Sequence, residues 1–348
     1  MTKSSSIPKT HRMVVLRRRP DGAIVDGDTE LVEVSAPEVA DGQALVRTLL
    51  LAMDPVTRVI INHDIGLVPP INVGEPLRSF GAGEIIVSRN RDLPVGKKVS
   101  GFFEWAELQI VEPGLRTNVL DEETSLDEGL NLLGHTAMAA FFGLSEIGKP
   151  AAGDTVVVTG AAGAVGCVAG QLARIAGCRV VGIASGPEKG RWLVEELGFE
   201  GFIDHRHEDV GERLSELCPD GVDLVFDNVG GTLLDQLLLH VKKGGRVVCC
   251  GASSAYTSAT APLPLTNGGE LDVKGVSMSG FNAMDHTARF DEAASLMREH
   301  VRAGRLRFPQ TVLSGLESAP EALNMLFDGR SRGRLLLKVD DACNVSSS

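Results

Sequence analysis

The stretch VVVTGAAGAVG (Val156–Gly166) is the most informative part of the sequence about the fold. Its valines predict a buried strand, and Gly160, Gly163 and Gly166 separate that strand from an apolar segment with helical periodicity. In such a strand–turn–helix unit one glycine permits the tight turn, one lets backbone N–H groups approach a pyrophosphate, and one lets the helix pack on the strand. The spacing is G-x-x-G-x-x-G, so the flanking strand and helix give the motif its meaning. Together they predict dinucleotide binding.

The segments after this stretch alternate between strands and helices. Further apolar strands are predicted at Val180–Ala184, Val222–Phe226 and Arg246–Cys250, with helices between them. Such an alternation predicts a parallel sheet covered on both faces, and therefore an α/β fold. Residues 1–126 instead contain short strands divided by turn residues, for example one over Val99–Val111, and this pattern is typical of a small β-barrel or sandwich.

The length of 348 residues predicts two domains, because a single core rarely grows so large. The last stretch, 310–348, contains strand-like pieces around a helix, and we assign it to the first domain together with residues 1–126. Residues 127–309 would then form an inserted dinucleotide-binding domain. A helix from Ser125 to about Ile147 is predicted at the junction, and the tail after Asp340 is expected to fray.

Composition excludes several classes of function. The net charge of −12 argues against nucleic acid or an anionic membrane as the main partner. The opening MTKSSSIPKT lacks the apolar core of a signal peptide and no later run is long enough to span a bilayer, so we expect a cytoplasmic location. The first of the six cysteines is Cys167 and none forms a C-x-x-C pair, which argues against a zinc ribbon or a disulfide framework in the N-terminal half.

The segment VVGIASGPEKGRW (Val180–Trp192) predicts which dinucleotide is bound. NAD-binding units place Asp or Glu at the end of the second strand to hold the ribose diol. Here Ser185 and Gly186 stand at that place, and they would admit a 2′-phosphate that a carboxylate would repel. Lys189 falls in the first turn of the next helix, where a bound phosphate would offset its conflict with the helix dipole. The sequence therefore favours NADPH over NADH.

Several segments resemble those of one known family. They are AMDPVTRV (Ala52–Val59), GFFEWAELQIV (Gly101–Val111), GHTAMAAFFGL (Gly134–Leu144), FDNVGG (Phe226–Gly231) and CGASSAY (Cys250–Tyr256), in the family's order. The chain resembles the zinc-independent medium-chain dehydrogenase/reductases, and within them the branch of leukotriene B4 dehydrogenase/prostaglandin reductase and alkenal double-bond reductases.

The resemblance implies a GroES-like β-barrel catalytic domain and a Rossmann domain with a doubly wound parallel sheet, with the active site in the cleft between them. It implies NADPH-dependent reduction of the C=C bond of α,β-unsaturated ketones or aldehydes in a homodimer. Tyr256, the only tyrosine, matches a pocket tyrosine near the substrate carbonyl. Motif and resemblance together predict cofactor contacts at Gly160, Gly163, Ala164, Val165, Gly166, Ser185, Gly186, Lys189, His205, Asn228, Gly251, Ser253, Tyr256, Phe281 and Ser331.

The chain departs from the branch at several positions. Val56 stands where many relatives carry a pocket tyrosine, and Phe141 replaces a tyrosine common in Y-F-G-L. His205 stands where a phosphate-contacting tyrosine often lies, and Ser331 replaces a frequent asparagine. These changes predict an altered substrate pocket with the reaction type retained. The predicted pocket residues are Val56, His63, Phe141 and Met284.

A zinc site is not expected. Zinc-dependent relatives need an N-terminal cysteine ligand and a G-H-E segment, whereas Gly134 and His135 are followed here by Thr136. We therefore predict no metal.

Enone reduction delivers hydride to the β-carbon while negative charge grows on the carbonyl oxygen, and a hydrogen-bond donor to that oxygen stabilises the enolate. Tyr256 or the nicotinamide ribose hydroxyl could be that donor. Two alternatives stay open: an NADPH quinone reductase with the same cofactor geometry, and a protein of the same fold that binds NADPH without turnover. The stretch Ser253–Gly269 is a candidate lid over the substrate.

Overall fold

The structure, a computed structural model, describes residues 8–66, 68–114, 117–256 and 265–340. The centre of the predicted lid (257–264) and the tail after Asp340, which was expected to fray, lie outside the described residues. The described residues divide into two compact units. The first comprises residues up to Leu130 with Thr311–Arg330 and those from Leu335 onward, and the second comprises Asn131–Gln310 with Ser331–Arg334.

Short strands dominate the N-terminal part of the first unit. Its elements are β1 (Thr10–Leu16), β2 (Thr29–Ser35), β3 (Ala44–Ala52), α1 (Pro55–Asn62), β4 (Arg78–Ser88), β5 (Lys98–Glu104), β6 (Leu108–Val111), β7 (Thr117–Val119) and α2 (Leu126–Leu130).

The second unit alternates helices with strands. Its elements are α3 (His135–Phe142), a π-helical turn over Gly143–Gly148, β8 (Thr155–Thr159), α4 (Ala164–Ile175), β9 (Arg179–Ala184), α5 (Pro187–Glu195), β10 (Gly201–Asp204), α6 (Val210–Leu217), β11 (Val222–Asp227), α7 (Gly231–Leu238), β12 (Val241–Cys249), a 3₁₀ turn over Ser253–Ala255, α8 (Gly269–Lys274), β13 (Ser277–Gly280), a 3₁₀ segment over Ala283–Arg289 and α9 (Phe290–Arg302). The chain then returns to the first unit with β14 (Gln310–Ser314), a 3₁₀ turn over Leu316–Ser318, α10 (Ala319–Asp328) and β15 (Arg334–Lys338).

The first unit is built on an antiparallel sheet. In its described residues the strand order is β14-β15-β3-β4-β5-β7, and β6 also pairs with β3. β1 forms a separate ladder with β2 and joins the rest through isolated bridges to Ala106 and Pro76. The strands and the helices α1 and α10 share one apolar core, which includes Leu51, Ile60, Phe103 and Leu323. This is the β domain that the turn-rich sequence predicted.

The single strand predicted over Val99–Val111 is wrong, because the chain changes partner in the middle. The backbone N–H of Trp105 donates to the Leu77 carbonyl at 2.7 Å, whereas that of Glu107 donates to the Arg12 carbonyl at 3.0 Å. The segment therefore leaves β4 and continues as the separate strand β6 against β3.

The continuous helix predicted from Ser125 to Ile147 is also wrong. It is divided into α2, which ends at Leu130, and α3, because Gly134 has an extended backbone with φ −77° and ψ 155° and stands as the N-cap before α3. That helix then widens into the π-helical turn from Gly143. A side chain there would meet aromatic carbon, since a Cβ on Gly143 would lie 2.6 Å from Cζ of Phe281.

The second unit contains the predicted parallel sheet, and the predicted α/β fold class is confirmed. Every described strand pair is parallel, in the order β10-β9-β8-β11-β12-β13. Val156, Val157 and Val158 of β8 are fully buried, as expected for a strand covered on both faces. The strand order reverses between β8 and β11, and open α/β sheets bind ligands at the carboxyl ends of the strands at such a point.

Candidate functional site

The glycine turn between β8 and α4 has the shape of a phosphate cradle. Gly160 has φ +57°, and its carbonyl accepts the Gly163 N–H at 2.9 Å. A Cβ on Gly166 would lie 2.3 Å from the Gly160 carbonyl oxygen, so only glycine fits there. Ala164 and Val165 begin the twelve-residue α4, whose first turn has no acidic side chain. Exposed N–H groups at such a helix start attract anions, and the turn therefore fits a dinucleotide pyrophosphate.

A segment from far along the chain lies against this turn. The Gly333 N–H donates to the Ala162 carbonyl at 2.8 Å, and Gly333 forms an isolated parallel bridge with Gly163. Ser331 is buried two residues earlier. The structure thus brings the predicted residue Ser331 close to the glycine turn, in the same unit.

A buried network joins the ends of β8 and β11. The Thr159 hydroxyl donates to Asp227 Oδ1 at 2.6 Å and accepts the Asn228 N–H at 2.8 Å. The Asn228 side-chain N–H donates in turn to the Thr159 carbonyl at 2.7 Å. Asp227 also accepts the backbone N–H groups of Val229 (3.2 Å) and Gly230 (2.9 Å). These bonds fix Asn228, a predicted cofactor contact, at the switch point of the sheet.

Asp227 and Thr159 were not among the predicted site residues. Asp227 is almost fully buried, and burial raises its pKa although Thr159 and two backbone N–H groups oppose the rise. A signal was available, since an acid directly after the buried strand VDLVF is unusual unless its carboxylate is hydrogen-bonded.

Tyr256 closes a short loop after β12. Its hydroxyl oxygen accepts the Ala252 N–H at 3.0 Å. A Cβ on Gly251 would lie 3.3 Å from this oxygen and 3.1 Å from the Asn228 carbonyl oxygen. The Ser253 N–H donates to that same Asn228 carbonyl at 3.2 Å. Gly251, Ser253 and Tyr256 therefore lie together with Asn228, as a cofactor site requires.

The turn after β9 is held by a buried acid. Gly186 has φ +84° and precedes α5, and its N–H donates to the Asp204 carboxylate. Burial of Asp204 works against its ionisation, but this bond and those from His207 and the Arg206 N–H outweigh burial and lower its pKa. The Asp204 carboxylate is thus hydrogen-bonded to this turn and to its own loop, and the acid in the first turn of α5 is the exposed Glu188, next to Lys189.

His205 follows Asp204 at the end of β10. Although the residue is exposed overall, partial burial of its ring lowers its pKa, and the positive charges of Arg206 and Lys189 act in the same direction. Lys189 thus acts electrostatically on His205, the other residue predicted to contact the phosphate.

Aromatic residues surround the loop after β13. The Phe281 ring packs beside Gly143 and the core residue Phe226. Phe141 makes an edge-to-face contact with Phe142, with ring centroids 5.2 Å apart. Met284 is 45% exposed, in the 3₁₀ segment that follows.

Two predicted pocket residues belong to the first unit, on or beside α1. The Val56 N–H donates to Asp54 Oδ1 at 3.0 Å, which caps the helix, and the Val56 side chain packs against the first unit's core. His63 follows the last turn and is exposed.

The described part of the chain contains no group of three or more His, Cys, Asp or Glu side chains that could hold a metal ion. Burial raises the pKa of Cys167 to about 12 and that of Cys249 to about 11, so both thiols stay protonated at neutral pH. None of the described helices is long and apolar enough to cross a membrane.

Family models match both units. One described as a zinc-binding dehydrogenase matches residues 164–299, and one described as the N-terminal domain of oxidoreductase matches residues 12–119.

Known proteins are similar over almost the whole chain. The NADPH-dependent curcumin reductase of Escherichia coli (strain K12) is 32% identical over 94% of this chain and 97% of its own. The NADP(+)-dependent 2-alkenal reductase of Nicotiana tabacum is 31% identical over 95% and 98%. The crystal structure of CurA from Vibrio vulnificus in complex with NADPH is 30% identical, superposes with a TM-score of 0.89, and matches over 95% of this chain and 99% of its own.

Proposed function

The chain belongs to the zinc-independent medium-chain dehydrogenase/reductase family, in the branch of the curcumin and alkenal double-bond reductases, and we propose that it reduces the C=C bond of α,β-unsaturated ketones or aldehydes. The single observation that carries this proposal is the glycine cradle at the switch point of the sheet, with Asn228 fixed beside it. The predicted oxidoreductase class and the predicted NADPH are confirmed by the NADPH-dependent relatives.

The residues fit the phosphates of NADPH. Gly160, Gly163 and Gly166 would admit the pyrophosphate against the start of α4. Ser185, Gly186 and Lys189 would hold the 2′-phosphate, because the second strand ends in Ser185 where NAD-binding units place an acid, and Gly186 and Lys189 stand at the start of α5.

When bound, NADPH supplies the hydride for the β-carbon of the enone. The protein then has to stabilise the negative charge on the carbonyl oxygen, and one well-placed donor contributes about 3–4 kcal/mol to such stabilisation. Asn228 and the 251–256 loop lie next to each other beside the switch point. The Ser253 N–H donates to the Asn228 carbonyl, and this bond holds the two segments together.

Tyr256 is our candidate for the donor to the carbonyl oxygen. The bond from Ala252 uses the phenol oxygen as an acceptor, whereas the proposed role uses its O–H as a donor. A hydroxyl can do both at once, so the two roles are compatible. With Val56 and Phe141 in place of the phenols found in relatives, Tyr256 is the one tyrosine of the chain that could serve.

We also propose a homodimer. Within the described part of the sheet, β13 pairs with β12 on one side only, and its residues are largely exposed. An exposed strand edge is a ready template for pairing with a second chain. Sedimentation velocity of the purified protein tests this, and a single monomeric species at micromolar concentration would contradict it.

A substrate screen tests the proposed reaction. NADPH oxidation would be followed with aliphatic, aryl and cyclic enones of graded size, with quinones and saturated ketones in parallel. We expect turnover of enones, with a product that is two hydrogens heavier and keeps its carbonyl group. Saturated ketones serve as the control, because they offer the same oxygen without a β-carbon acceptor.

Two results would overturn the proposal in favour of the alternatives. Quinones turned over with higher kcat/KM than every enone would indicate a quinone reductase. Tight NADPH binding without oxidation by any enone or quinone would indicate a protein that binds NADPH without turnover.

A further inference from the structure

The segment Ser331–Arg334 is held at a fixed place in the second unit. Gly333 has φ +62°, and a Cβ there would lie 2.0 Å from the Pro309 carbonyl oxygen, so the position accepts only glycine. Its N–H donates to Ala162 in the glycine turn, and the Arg334 N–H donates to the Pro309 carbonyl at 2.8 Å. The residue between Ser331 and Gly333 is therefore held next to the phosphate cradle by the backbone bond of Gly333, and the bond from Arg334 to Pro309 fixes the segment further.

That residue is Arg332, and its guanidinium lies on the helix that carries Lys189. Its Cζ is 5.8 Å from the ring centroid of Trp192, which is 7% exposed on α5. A cation over an indole ring at an exposed site gains about 0.5–1 kcal/mol, enough to favour one position of a long side chain. Lys189 precedes Trp192 by three residues, so the two share a face of α5.

The charge of the expected ligand calls for more than one cation. A phosphate monoester carries a charge of about −1.5 to −2 at neutral pH. Lys189 would neutralise one of these charges, and burial together with the positive charges of Arg206 and Lys189 lowers the pKa of His205, which makes it a weaker source of a second one. Arginine stays charged at every working pH, and its planar fork matches two phosphate oxygens at once.

We propose that Arg332 is a specificity-determining residue that acts with Lys189 to hold the 2′-phosphate of NADPH. The proposal rests on NADPH being the cofactor and concerns this chain's own C-terminal segment. Trp192 acts as a positioning residue that holds the guanidinium over α5. Selectivity for NADPH is then shared between the turn after β9 and a segment that reaches the glycine turn from beyond α10.

Binding of nucleotide fragments tests the proposal without turnover. Titration calorimetry would compare 2′,5′-ADP, which carries the 2′-phosphate, with 5′-AMP, which lacks only that group. We expect Arg332→Gln to weaken binding of 2′,5′-ADP by about 10-fold or more and to leave that of 5′-AMP within about twofold, since a hydrogen bond to a charged group is worth about 1.5–3 kcal/mol. Arg332→Lys should recover part of the loss, and Trp192→Leu should reproduce part of it.

Arg330→Gln is the matched control. Arg330 lies two residues earlier, and its guanidinium pairs with Glu321 at 2.6 Å and with Asp328. This variant changes net charge by the same amount and should bind both fragments as the wild type does. Arg206→Gln tests the alternative that Arg206, the cation beside His205, binds the 2′-phosphate in place of Arg332.

Three outcomes would overturn the proposal. Equal weakening of both fragments by Arg332→Gln would place the arginine at another part of the nucleotide. Selective loss of 2′,5′-ADP in Arg206→Gln with none in Arg332→Gln would assign the role to Arg206. A wild-type protein that binds 2′,5′-ADP no tighter than 5′-AMP would overturn the assignment of NADPH as well, so the two failures are distinguishable.

Discussion

Thr159 donates its hydroxyl proton to the buried carboxylate of Asp227 at 2.6 Å, and the same oxygen accepts the Asn228 N–H at 2.8 Å. One hydroxyl thus connects the end of β8, which begins the glycine turn, to the end of β11, which begins the Asn228 loop. Both loops are needed to build the nucleotide site, so the geometry of that site depends on this bond.

Replacing Thr159 by valine keeps the shape and removes the hydroxyl. We expect Thr159→Val to lower the free energy of unfolding by about 1–3 kcal/mol, because the Asp227 carboxylate and the Asn228 N–H each lose a buried partner. NADPH affinity should fall too, as Asn228 loosens. Urea unfolding and calorimetry measure the two effects.

Thr155→Val, on the same strand, is the control. The contact of Thr155 with Asp223 is made by its backbone N–H at 2.8 Å, which valine retains. The free energy of unfolding of Thr155→Val should stay within about 0.5 kcal/mol of that of the wild type. Equal losses in the two variants would contradict a special role for the Thr159 hydroxyl.

The ionisation of Asp227 predicts a pH trend in stability. Burial raises its pKa in the folded protein above the unfolded value, so the folded state holds this proton to higher pH. The stability that the protonated Asp227 carboxyl contributes to the folded state is therefore fully present below about pH 4, the pKa of the group in the unfolded chain. It is lost as pH rises through the pKa of the group in the folded protein. Asp227→Asn cannot titrate, and the wild type should lose stability relative to this variant across that rise. Urea midpoints of both proteins from about pH 4 to about pH 8 measure it. A constant difference, or one that grows in favour of the wild type, would contradict the raised pKa.

The sequence predicted the parts of this fold that follow from local pattern. The buried valines of β8 and the glycines after them imply both the parallel sheet and the cradle, because strand burial and tight turns are properties of short segments. The sequence did not predict the contact of Gly333 with Ala162 or that of Arg332 with Trp192. These contacts join distant parts of the chain, and no local period indicates which segments will meet. The break at Gly134 was missed because the apolar pattern runs through it.

Gly166 is packed so closely against the Gly160 carbonyl that adding a single methyl group is expected to lower both stability and NADPH affinity. In Gly166→Ala the new Cβ would lie 2.3 Å from the Gly160 carbonyl oxygen, a backbone atom that cannot move without reshaping the turn. We expect a loss of about 3 kcal/mol in the free energy of unfolding and of most NADPH affinity. In contrast, a Cβ on Gly269 meets nothing within 4 Å, so Gly269→Ala should be neutral or stabilise by up to about 1 kcal/mol. Unchanged NADPH binding in Gly166→Ala would remove the turn from the nucleotide site.

Lys189 is expected to distinguish the two dinucleotides. Lys189→Ala should weaken NADPH by about 10–100-fold and leave NADH nearly unchanged, since only NADPH offers the 2′-phosphate. Fluorescence titration of both nucleotides at low and high salt measures the difference, which salt should reduce. Lys243→Ala, at an exposed position of β12, removes the same charge and should affect neither. Equal weakening of NADPH and NADH binding by Lys189→Ala would contradict the assignment of Lys189 to the 2′-phosphate.

Tyr256 provides the sharpest test of the proposed chemistry. Tyr256→Phe keeps the ring and removes the hydroxyl, so a donor to the enone oxygen would be lost and kcat should fall by about 10²–10³. The same change removes the acceptor of the Ala252 N–H, which should cost about 1 kcal/mol in loop stability and leave the NADPH dissociation constant nearly unchanged. Single-turnover hydride transfer separates the two effects, because a looser loop alters substrate binding while a missing donor slows transfer at saturating substrate. If transfer at saturation is as fast in the variant as in the wild type, Tyr256 only closes its loop, and the donor is the nicotinamide ribose hydroxyl.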